Sequence, residues 1–119
     1  MGNPFVHVEL TTSDLAKAKD FYTQLFDWKL EEYTGDGQPY FMVATGSDPM
    51  GGMMGLPMPG VPVAWSVYIQ VEDLDAAIAK LVKLGGKVWK ERTEVPDMGW
   101  FAIASDPQGA NFGLWQAKI

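Results

Sequence analysis

FVHVELTTSDLAKAKDFYTQL, Phe5 to Leu25, reads as a strand, a sharp turn and an amphipathic helix. Over Phe5 to Leu10 the residues alternate: Val6, Val8 and Leu10 share one apolar face, while His7, Glu9 and Thr11 share a polar one. Thr12 and Ser13 supply hydroxyls suited to an N-cap, and Asp14 suits the positive end of the helix dipole. Leu15, Ala18, Tyr22 and Leu25 then make one buried stripe, widened by Phe21 and Phe26. The same pattern returns as WSVYIQVEDLDAAIAKLVKL, Trp65 to Leu84. Setting Asp14 on Asp73 gives a shift of 59 residues, about half of the 119, so the chain reads as one unit written twice.

Working outward, Trp28–Tyr33 and Tyr40–Ala44 read as strands, separated by a turn at Thr34-Gly35-Asp36-Gly37. MGGMMGLPMP, Met50 to Pro59, carries a fourth strand at Met53–Leu56; its remaining Gly and Pro disfavour a regular element. In the second copy, Val67, Ile69 and Val71 are the apolar row and Ser66, Tyr68 and Gln70 the other. Glu72 and Asp73 open a helix with the stripe Leu74, Ala77, Ile78, Leu81 and Leu84, ended by Gly85-Gly86. Lys87–Glu91, Trp100–Ala104 and Asn111–Gln116 are the remaining strands, with a type I turn at Asp106–Gly109. Each half is thus β-α-β-β-β. The expected fold is α+β: one domain over 1–119, with modules 4–57 and 62–117 in tandem. Each module's helix covers the outer face of a curved mixed sheet, and the two sheets enclose a cleft. The 59-residue shift places Phe41 on Trp100, Val43 on Ala102 and Met54 on Gly113.

Composition narrows the partners. A chain with 47% hydrophobic residues is ordinary for a globular fold. The net charge of −6 comes with no basic cluster, which argues against nucleic acid and against an anionic membrane surface. Having no cysteine, the chain makes no disulfide, thiolate nucleophile or zinc–sulfur site. Met1-Gly2-Asn3-Pro4 lacks the features of a cleavable signal, and no apolar run is long enough to span a bilayer, so the expected location is cytoplasmic.

Strand parity supplies the candidate site. His7 and Glu9 point into the cleft, where either is suited to acid–base work near neutral pH. The plain alternative is a structural hydrogen-bond set of His7, Glu9 and Tyr68. Ser66, Tyr68, Met54, Phe101 and Trp115 are the candidate ligand-binding residues; Tyr40, Trp65 and Trp100 read as core aromatics. Met50–Met58 reads either as an adaptable lid or as a loose loop or dimer contact.

Several pieces now stand in order: His7 seven residues before Asp14-Leu15, Phe21-Tyr22, Phe26-Asp27-Trp28, Trp65 with Tyr68, Gly85-Gly86-Lys87-Val88, and DPQGA through Phe112. In these the chain resembles the vicinal oxygen chelate superfamily of glyoxalase I, bleomycin-resistance proteins and extradiol dioxygenases. It is most similar to a bacterial glyoxalase-like subgroup of small or tandem proteins. The resemblance implies four metal-ligand positions, on the first and last strand of each half, which here read His7, Met54, Ser66 and Gly113. Only His7 is an ordinary ligand for a divalent ion, and a catalytic site commonly needs about three. The expectation is therefore a binding protein without a metal cofactor, acting as a homodimer on an apolar or aromatic small molecule. One alternative is a lyase- or isomerase-type enzyme using His7 and Glu9, with or without a divalent metal. The other is a dimerising interaction module with no small ligand.

Overall fold

The chain runs β1 (Phe5–Thr12), α1 (Leu15–Leu25), β2 (Lys29–Tyr33), β3 (Tyr40–Ala44), β4 (Gly51–Gly55), β5 (Ala64–Gln70), α2 (Leu74–Lys83), β6 (Lys87–Val95), β7 (Gly99–Ser105) and β8 (Asn111–Ala117). This is the α+β arrangement of two β-α-β-β-β modules. The computed structural model describes residues 2–33, 39–47 and 49–118. The turn expected at 34–37 lies outside them. Among the described residues no helix is long and apolar enough to cross a membrane. The chain divides into two compact units, His7–Ser66 and residues 67–118 with 2–6.

In the first unit the strand order is β2-β3-β4-β1. β1 runs parallel to β4, and the β2–β3 and β3–β4 pairs are antiparallel. Leu10, Val43 and Met53 are its buried centre, with Leu15, Ala18 and Tyr22 of α1 packed on them. The helix stripe is shorter than its spacing suggests. Phe21, Leu25 and Phe26 are exposed, at 59%, 57% and 44%. With only 11 residues, α1 ends as its stripe leaves the sheet. The N-cap is Asp14, not Thr12 or Ser13, because Thr12 still belongs to β1. Asp14 has extended backbone and its carboxylate accepts from the Lys17 N–H at 3.0 Å. Part of the methionine segment is also regular structure: β4 spans Gly51–Gly55 and Met53 is fully buried.

The second unit repeats the plan in the order β5-β8-β7-β6. β5 and β8 are parallel; β7 pairs antiparallel with both β8 and β6. Its centre is Leu74, Ala102 and Leu114, capped by Ala77, Ile78 and Leu81 of α2. Asp73 caps α2 through the Ala76 N–H. At the other end Gly85 takes φ +95°, its N–H reaching the Val82 carbonyl and that of Gly86 the Leu81 carbonyl. This is a Schellman termination, and only glycine adopts its left-handed residue without strain. Leu84, placed in the stripe by spacing, is exposed at that end. β6 runs on to Val95 and carries irregularities between Val88 and Lys90 and between Lys90 and Thr93.

Those registers also correct the internal alignment. Glu9 pairs with Gly52 in the first unit and its repeat mate Tyr68 pairs with Gly113 in the second. Gly52, not Met54, is therefore the counterpart of Gly113. By the third and fourth strands the shift has widened from 59 to 61, which sets Phe41 on Ala102 and Val43 on Ala104. A constant shift fails because the loops and bulges of the two halves differ in length.

Candidate functional site

On β1 the face turned away from α1 carries His7, Glu9 and Thr11, opposite in parity to the core residue Leu10. Glu9 and Thr11 are buried. Tyr40, at the start of β3, leans across this face. Its hydroxyl lies 2.7 Å from His7 Nε2 and donates to Glu9 Oε2 at 2.8 Å. A phenol has one proton, so the His7 contact requires Nε2 to carry the hydrogen and donate to the Tyr40 oxygen. A directed chain results, from His7 through Tyr40 to Glu9. Burial pushes the His7 pKa below its usual value, since the imidazolium loses hydration there. His7 is accordingly held in its neutral form around pH 7.

Gly52 explains how the phenol reaches both partners. A Cβ built at Gly52 would overlap the Tyr40 hydroxyl and lie 2.8 Å from its Cε1. The ring thus occupies side-chain space on β4. The second unit has a matching feature built from a different strand. A Cβ at Gly113 would overlap the Tyr68 ring and stand 2.7 Å from its Cγ. Tyr68 is buried and meets Phe101 edge to face, with ring centroids 6.2 Å apart. Trp115 pairs with Phe101 across the β7–β8 ladder, and its Cζ2 packs where a Cβ on Gly99 would be.

The sequence-derived candidates therefore fall into two sets. His7 and Glu9 are brought together in the first unit; Tyr68, Phe101 and Trp115 are neighbours in the second. Ser66 shares the strand parity of Tyr68. Met54 stands between Tyr40 and Thr11 in the ladder, one pair beyond Gly52. Tyr40 is the residue beside His7 and Glu9 that sequence reasoning missed, having been assigned to the core. The available signal was its even spacing with Met42, which puts it on the face opposite Val43. Met50 lies elsewhere, lining a groove of about 390 Å³ with Val8, Val43, Trp28 and Trp65.

The four positions at which the fold's metal enzymes carry ligands now read His7, Gly52, Ser66 and Gly113. Two have no side chain, and in both a tyrosine ring fills the space a ligand would need. Among the described residues no group of three or more His, Asp or Glu side chains is placed to hold an ion. This donor set does not fit a resident divalent metal, which needs about three protein ligands.

Comparison with known proteins agrees with this architecture. The chain is 38% identical over 118 residues to "Putative glyoxylase CFP32" of Mycobacterium bovis, covering 93% of this chain and 44% of that protein. It is 30% identical over 128 residues to "Anthracycline biosynthesis protein DnrV" of Streptomyces peucetius, covering 93% and 46%. The chain thus spans about half the length of the curated relatives it matches. Among solved structures, a glyoxalase/bleomycin resistance protein/dioxygenase superfamily member from Vibrio splendidus 12B01 superposes with a TM-score of 0.66 at 12% identity, over 97% of this chain and 99% of that one. A family model matches residues 5–114, and the chain belongs to the Glyoxalase/Bleomycin resistance protein/Dioxygenase superfamily.

Proposed function

We propose that this protein is a metal-independent member of its superfamily that binds an apolar or aromatic small molecule on the strand faces turned away from the helices. The observation that carries the reading is the pair of glycines, Gly52 and Gly113, each roofed by a tyrosine ring where a metal enzyme of this fold needs a ligand side chain. The aromatic surface of Tyr68, Phe101 and Trp115 supports the ligand class, because flat π-faces favour stacking or edge contact with other rings. A homodimer in the cytoplasm, with no nucleic-acid or membrane partner, completes this reading; the net charge of −6 supports its last part.

A second reading is favoured by the His7–Tyr40–Glu9 chain. A neutral histidine with a fixed tautomer, linked through a phenol to a carboxylate, is suited to acid–base chemistry of a lyase or isomerase type. One experiment separates the two. Protein stripped with EDTA is screened by thermal shift against aromatic and lactone compounds, with and without added nickel, zinc, manganese or iron. Ligand-dependent stabilisation that needs no ion supports the binding reading, since anything that binds the native state raises its melting temperature. Stoichiometric retention of an ion by the purified protein would overturn it.

A further inference from the structure

We propose that the aromatic face of the second unit takes a flat ring ligand that carries an anionic group, and that Lys90 anchors that group. The proposal rests on the metal-independent binding reading above and names the ligand class for it.

The registers place the residues. Lys90 on β6 pairs with Ile103 on β7, Ile103 with Gly113 on β8, and Gly113 with Tyr68 on β5. Directly paired residues project to the same side of a sheet, so these four form one row across four strands. The adjacent row is Thr93, Phe101, Trp115 and Gln70. Between them the rows hold the buried Tyr68 ring, the half-buried side chains of Phe101, Ile103 and Trp115 and, at the β6 end, one cation. Lys90 is half-buried, and its Nζ lies over the Phe101 ring, 5.4 Å from the centroid. Beside it the Lys87 ammonium lies 4.3 Å over Trp89, whose indole N–H donates to Ser105 Oγ.

Like Lys19 over Phe41, these two lysines sit on aromatic rings. In a chain with 15 acidic and 9 basic residues, carboxylates are plentiful. Arg92 pairs with Asp75, and Lys118 pairs with Glu94. Asp73 and Asp106 spend their carboxylates on backbone N–H groups at a helix start and a turn. Among the described residues neither Lys87 nor Lys90 has a carboxylate at ion-pair distance. Each rests on a π-face instead. A cation–π contact is weaker than a charge-assisted hydrogen bond, so a ligand anion reaching this edge displaces the ring from the ammonium at a net gain. The ligand's ring then replaces the ammonium against Phe101.

The test is calorimetric titration of the full chain with 2-naphthoate and with 2-naphthamide, which share a ring system and differ in charge. Naphthoate is expected to bind at least tenfold more tightly, with a preference that shrinks as salt is raised. Lys90→Gln is expected to reduce naphthoate to the level of naphthamide while leaving naphthamide and the melting temperature unchanged. Phe101→Ala weakens both ligands together. Equal affinities in the wild type, or a preference that survives Lys90→Gln, would overturn the anchor while leaving aromatic binding intact. Failure of both compounds to bind would sink the binding reading along with it.

Discussion

The Tyr40 ring lies over Gly52, so that its hydroxyl stands where the β4 residue would otherwise place its first side-chain carbon. Adding that carbon forces the phenol away from His7 and Glu9. Gly52→Ala is expected to cost about 3 kcal/mol, at the upper end of ordinary overpacking, measured by urea unfolding. Removing the ring in the same background should restore part of the loss. A Tyr40→Ala, Gly52→Ala cycle that proved additive would show that the two residues do not share this space.

Tyr40→Phe keeps the ring and deletes only the bridging oxygen. The buried carboxylate of Glu9 and the Nε2–H of His7 each lose a hydrogen bond, and a loss of about 1–3 kcal/mol is expected. The wild-type tautomer gives an independent check. Nitrogen NMR of the chain's single histidine should show the proton on Nε2.

Acid sensitivity follows from His7. Its pKa is lowered in the folded protein by burial, so between the ordinary value near 6.5 and the lowered one the unfolded chain binds more protons. Stability that is full above about pH 6.5 therefore declines as pH falls through that window and levels off below the folded pKa. His7→Gln should flatten this part of the pH profile of the urea midpoint. An imidazole titrating at or above 6.5 in the folded state would contradict the buried environment.

The two helix caps are equivalent in geometry, each an extended aspartate accepting from the N–H three residues on. Asp14→Ala and Asp73→Ala are each expected to cost about 1 kcal/mol. Because the caps lie in different units, the double variant should lose the sum. A melting shift in one variant alone would show that only one cap contributes.

Much of this was legible in the sequence. Period-two alternation in Val6 to Leu10 separates the two faces of β1, though both are buried at Glu9 to Thr11. Helical spacing picks out Leu15, Ala18 and Tyr22, which pack with Leu10 in the first core. The repeat exposed the doubled module because Asp14 and Asp73 do the same job. What the sequence hid depends on strand register, which is set by loop length and bulges rather than by side-chain type. That is why simple counting sets Met54 on Gly113; the face of Tyr40, by contrast, was legible in its even spacing with Met42. The exposed ends Leu25 and Leu84 were hidden for a related reason: periodicity continues past the point where a helix stops touching its sheet.

The widening of the repeat from 59 to 61 has an evolutionary corollary. Two is the smallest drift that returns every residue of β3 and β4 to its own side of the pleat. With an odd drift, counting by 59 would have matched Val43 and Met53 to residues on the opposite face of β7 and β8. Loops absorb insertions of any length, so the even drift belongs to this pair of copies: residues carried from one to the other by simple counting keep their side but miss their rung.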